Sequence, residues 1–148
     1  MKAFLYLFAA GAGALNAVQA GCNAGLAKAL GNPFAAALAI VGVSFTSLLT
    51  AGVVSGRLAW PDMDRVAGAP WWAWFGGVLG ATFVMSQLLV AAQVGAGVYI
   101  GLTVTASIIV SLLLDHFGLV GFEVHPAGIG RLMGAALMIA GVALVTRY

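Results

Sequence analysis

Long apolar runs divided by short polar interruptions dominate the chain, and their lengths set the first expectation. Five runs, Ala3–Ala27, Phe34–Gly56, Trp72–Ala91, Ala96–Leu114 and Ala127–Thr146, are each near the length needed to cross a hydrocarbon core as a helix. They are apolar all round, without the polar outer face of a helix in a soluble protein and without the period-two alternation of a barrel strand. Open strand edges are not viable in lipid, so the pattern predicts an all-α integral membrane protein with five transmembrane helices in one domain, residues 1–148.

The interruptions predict an alternation of their own. Gly31-Asn32-Pro33 and Gln93-Val94-Gly95 are brief links on one side of the bilayer, and Arg57–Pro70 and Asp115–Pro126 are longer loops on the other. Asp62, Asp64, Asp115 and Glu123, all the acidic residues, fall in the two longer loops. Pro33 and Pro126 are placed at helix starts, where a missing N–H does no harm. Trp60, Trp71, Trp72 and Trp74 gather around one crossing point, as in a headgroup-level aromatic belt, and Tyr148 can anchor the last helix.

Composition agrees with lipid as the main solvent: 63% of the 148 residues are hydrophobic and 7% charged. The net charge of +2 comes from scattered basic residues that form no stripe to follow a phosphate backbone, which excludes nucleic acid as a partner. Five crossings put Lys2, Arg57, Arg65 and Arg131 on one side and Lys28 and Arg147 on the other, a weak orientation bias compatible with insertion both ways. Lys2, the first apolar run and the small residues at Ala20 and Gly21 resemble a cleavable signal peptide. The run continues to about Leu30, beyond the reach of a signal's apolar region, so the segment is read as a mature helix. Cys22 is a lone cysteine, without an intrachain disulfide partner.

Glycines four apart mark every predicted helix: Gly21/Gly25, Gly52/Gly56, Gly76/Gly80, Gly97/Gly101 and Gly130/Gly134, with Gly141 a heptad later. At that spacing they share a face and allow close helix approach, within the chain or to a second chain, although 21 glycines make such pairs common by chance.

Candidate chemistry lies on two helices. Asn16, Gln19 and Asn23 fall within about a 60° arc of the first helix, and lipid satisfies none of their donors and acceptors. They therefore either bind a polar, uncharged or zwitterionic solute or tie helices together. On the fourth helix Tyr99, Thr103, Ser107 and Ser111 stack four apart, and the Ser and Thr hydroxyls can instead bond their own backbone. Thr82, Ser86 and Gln93 align similarly on the third. The first four helices have no ionisable residue near their centres, which disfavours a buried proton carrier or a counter-charge for an organic cation. Asp115, His116, Glu123 and His125 in one loop match no strong metal-ligand spacing, and no nucleophile–base pair or phosphate-cradling loop is visible. Neither an enzyme, nor a metal site, nor a cofactor is expected.

These residues also carry a family resemblance over nearly the whole length. Gln19 with Asn23 and Leu26, Pro33 with Ala36, Trp72 with Gly76-Gly77 and Gly80, the run Ser111 to Asp115-His116-Phe117-Gly118-Leu119, and Arg131, Gly134 and Gly141-Val142 resemble the YdcZ-like five-helix branch of the drug/metabolite transporter superfamily. Ser107 is a departure, standing where the family often has Gln. The resemblance implies a transporter, an exporter, of small metabolites in a bacterial inner membrane. It also implies that this chain is one half of an inverted-repeat architecture. The expected partner is a second copy in opposite orientation, giving an antiparallel ten-helix homodimer, with an oppositely oriented paralogue as the alternative. A small polar solute would then be moved by alternating access past Asn16, Gln19, Asn23, Tyr99, Thr103 and Ser107. The competing reading is a non-transporting scaffold or regulatory subunit.

Overall fold

The computed structural model describes residues 2–148, and all the regular secondary structure among them is helical. Five helices are long and apolar enough to cross a membrane: α1 (Lys2–Leu30), α2 (Pro33–Val54), α4 (Trp71–Val94), α5 (Ala96–Phe117) and α6 (Ile129–Arg147). A short α3 (Met63–Ala67) occupies the loop between α2 and α4.

Local chemistry sets the ends. Gly31 takes a left-handed φ of 63° and closes α1. Asn32 then caps α2, its side-chain oxygen accepting from the Phe34 N–H at 2.9 Å and the Ala35 N–H at 3.2 Å, with Pro33 in the first turn. The next short link is smaller than expected. Helix continues through Gln93 and Val94, and Gly95 alone, at φ 87°, makes the break. Such a backbone is accessible to glycine at little cost.

Three boundaries correct the sequence reading. Asp115 and His116, expected in a loop, form part of the last turn of α5, which runs on to Phe117 and is closed by Gly118 at φ 62°. Pro126 does not start the last helix; Gly128 precedes its first residue, Ile129. Gly56 lies beyond the end of α2 at φ 65°, so Gly52 and Gly56 do not share a helical face.

The α4 span is not uniform. It opens as a 3-10 turn at Trp71–Trp74, continues as α-helix over Phe75–Ser86, widens into a π turn at Gln87–Ala91 and resumes as α-helix to Val94. A π turn is a rare, locally expanded form that recurs at functional sites.

The chain forms two compact units, one ending at Ala92 and the other spanning Gln93–Tyr148. In the first, α1 and α2 pack together and both meet the π turn of α4. The core there is small: Ala36, Ile40 and Leu88, flanked by Leu26, Ala27, Ala37 and Val84. In the second, α5 and α6 form a hairpin, and Gly101 brings α5 against Val142 of α6. Most large apolar side chains, including Phe4, Leu38, Val54, Leu79 and Leu137, face outward, as expected where lipid replaces water around the helices.

Candidate functional site

Polar groups buried within an apolar span are the natural place to seek function, because a lipid-facing amide or hydroxyl has no solvent partner. Among the described residues the buried polar side chains are Asn23, Gln87 and Thr105. The first two meet. Asn23 Nδ2 donates to Gln87 Oε1, joining α1 to the first residue of the π turn.

Both residues sit at matching depth. Leu30 ends α1 seven residues after Asn23, and Val94 ends α4 seven residues after Gln87. At the helical rise each is about 10 Å inside its helix end. The surroundings are apolar or small. Ala20, one turn before Asn23, is 1% exposed, and Leu88 and Ala91 are buried beside Gln87. Gln87 itself is 1% exposed, and its Nε2 has no hydrogen-bond partner. A carboxamide carries two N–H donors on that nitrogen, so the pair is satisfied on one edge and open on the other.

Gln87 was missed by the sequence reading, which singled out Thr82, Ser86 and Gln93 on this helix. A signal was there. Gln87 is the one carboxamide in the stretch from Ala81 to Ala92, and in lipid an amide marks a position facing protein.

The α1 stripe divides. Asn23 is buried and Asn16 half-buried, whereas Gln19 is exposed in the single chain. The covered face therefore runs through Asn16, Ala20 and Asn23, at steps of four and three.

In the second unit, Tyr99 is 2% exposed. The Thr and Ser hydroxyls of its stripe are spent on their own helix. Thr103 Oγ1 donates to the Tyr99 carbonyl at 2.9 Å, Ser107 Oγ to the Thr103 carbonyl at 2.7 Å and Ser111 Oγ to the Ile108 carbonyl at 3.0 Å. Thr105, outside that stripe, is 7% exposed and its Oγ1 has no partner. The groove between α5 and α6 is lined mainly by apolar side chains, among them Ile109, Leu113, Phe117, Leu132 and Ile139, with His116 as its polar side chain.

The motif at the end of α5 is a structural clasp. Asp115 pairs with Arg131 at 3.6 Å and its carbonyl accepts from the His125 N–H at 2.8 Å. Arg131 also donates to the His125 carbonyl at 3.3 Å, and His116 Nδ1 accepts from the Ala127 N–H at 3.2 Å. These bonds tie the loop to the end of α5 and the start of α6. Among the described residues no group of three or more His, Cys, Asp or Glu is placed to hold a metal ion.

The glycines divide too. Gly101 would place a Cβ 3.1 Å from Val142 Cγ2, while Gly21, Gly25, Gly76, Gly80, Gly97, Gly130 and Gly134 have open space where a side chain would stand.

A family model described as "Putative inner membrane exporter, YdcZ" fits residues 4–144. No curated protein and no solved structure matches the chain.

Proposed function

We propose that this chain, which belongs to the YdcZ family, exports a small polar metabolite across a bacterial inner membrane by alternating access, with the solute bound along the covered face of α1. The observation that carries this reading is the Asn23–Gln87 pair, two carboxamides held inside an apolar span with one donor group unspent. Packing glue would be cheaper if it were satisfied on both edges, since an interhelical hydrogen bond in a membrane contributes only about 0.6 kcal/mol on average. An open polar edge has a use if something polar visits it.

The working unit in this proposal is an antiparallel homodimer. Five crossings leave the termini on opposite sides, so one chain supplies one half of an inverted pair. The basic residues divide weakly between the two sides, which allows both orientations. The glycine faces of α1, α4 and α6 stand open and can admit another helix closely. A paralogue of fixed opposite orientation is the alternative partner.

Two measurements test the proposal. The first places one cysteine on the α1 face, Asn16→Cys in a Cys22→Ser background, and exposes the reconstituted full chain to a membrane-impermeant maleimide. Labelling is expected, because a transport path is wetted in part of its cycle. Complete protection would remove the path and favour the non-transporting scaffold. The second maps tags at both termini in intact cells. Each terminus is expected on both sides, and a single fixed topology would exclude the homodimer.

A further inference from the structure

We infer that Gln87 is the recognition residue of the transport path and that the cargo is an uncharged solute bearing a hydroxyl or carbonyl oxygen as acceptor, an inference resting on the transport reading above. Three observations converge on it. Gln87 Nε2 is enclosed and has no partner, so the site presents N–H donors and asks for an acceptor. Asn23 already donates to Gln87 Oε1, which fixes the direction of the amide and leaves the nitrogen outward from the pair. The other buried residues of this unit, Ala20, Asn23, Ala36, Ile40, Leu88 and Ala91, are all uncharged.

The charge argument sets the class. A cation would arrive where nothing offers a counter-charge, and the free group would present its hydrogens to it. An anion would be met by N–H dipoles alone, without a basic side chain to offset its loss of water. A hydroxyl or carbonyl oxygen costs little to desolvate if it receives the two N–H bonds on offer. The position at the head of the π turn matters as well. The widened turn departs from α-helix and sits against α1 and α2. Gln87 has essentially no accessible surface in this conformation, so loading requires α1 to separate from the turn. Arrival of the solute and movement of the helix are thereby the same event.

The full chain reconstituted in liposomes is tested by osmotic light scattering with xylitol, ribose and N-acetylglucosamine, and in parallel with guanidinium and lactate. Faster entry of at least one neutral solute than in protein-free liposomes is expected, without acceleration of the two ions. The Asn23→Leu/Gln87→Leu double variant removes both polar partners together and is expected to stay as heat-stable as the parent or become more so. Its neutral-solute flux is expected to fall about tenfold or more, the loss of one to two good hydrogen bonds to cargo. Retained flux in the double variant overturns the role of Gln87. Acceleration of the ions alone, or of none of the five solutes, overturns the cargo class. In either case labelling of Asn16→Cys leaves the transport reading standing, and its protection removes both.

Discussion

Gly101 on α5 and Val142 on α6 meet so closely that a Cβ on the glycine would lie 3.1 Å from Val142 Cγ2. That is a tight point between the two helices, and it makes Gly101 a glycine whose smallness is spent inside the chain. Gly101→Val is expected to destabilise by about 1–3 kcal/mol, the usual effect of overpacking, with a lower melting temperature in nanodiscs. Val142→Ala in the same chain should recover most of the loss. Absence of recovery would mean that the two residues do not touch in the membrane.

Gly118 presents a different restriction. Its φ of 62° is left-handed, and a Cβ would stand 2.7 Å from Val124 Cγ2. Gly118→Ala therefore meets strain and a clash together, and a loss of about 1–3 kcal/mol is expected. Val124→Ala should remove the clash and leave the strain, so thermal denaturation of the double variant should fall between parent and single variant.

Asn32 holds two backbone N–H groups at the start of α2. Asn32→Ala is expected to cost about 1 kcal/mol and Asn32→Asp to cost less, since both oxygens of an aspartate can cap. Equal melting temperatures for Asn32→Ala and the parent would show that water replaces the cap at this interface.

The Asp115–Arg131 pair is long at 3.6 Å, and its side chains remain 32% and 46% exposed. Water screens it, so Arg131→Leu is expected to cost less than about 1 kcal/mol through the ion pair itself. The bond from Arg131 to the His125 carbonyl is lost as well. Faster amide exchange in residues 119–127, with little change in melting temperature, is the expected signature.

The α5 hydroxyls should matter little to transport. Ser107→Ala and Thr103→Val remove groups whose donors already bond their own helix, and flux is expected to stay within about threefold of the parent, consistent with an average membrane hydrogen bond of about 0.6 kcal/mol. A larger loss in either variant would return that stripe to the solute path.

What the sequence made legible follows the range of the forces involved. Solvation acts on each residue separately, so run lengths alone located all five spans, and the turn at Gly31-Asn32-Pro33 could be read from three adjacent residues because its capping is local. The end of α5 was misjudged because charge at Asp115 suggested a loop, whereas Arg131 and the left-handed Gly118 let the helix run to Phe117. Burial of Asn23 was expected from its amide. Its partner was not, since Gln87 is 64 residues away and only tertiary packing joins them. The π turn left no local trace either; neither Gly nor Pro interrupts Gln87–Ala91.

The tryptophans give the chain an optical polarity. All four indoles, at 60, 71, 72 and 74, are 40–85% exposed and belong to the α2–α4 loop and the first turn of α4. Emission from one chain therefore reports on a single leaflet. A quencher confined to the outer leaflet should darken a uniformly oriented population nearly completely or hardly at all, and an inverted pair to half its signal, so the protein carries its own gauge of orientation without any label.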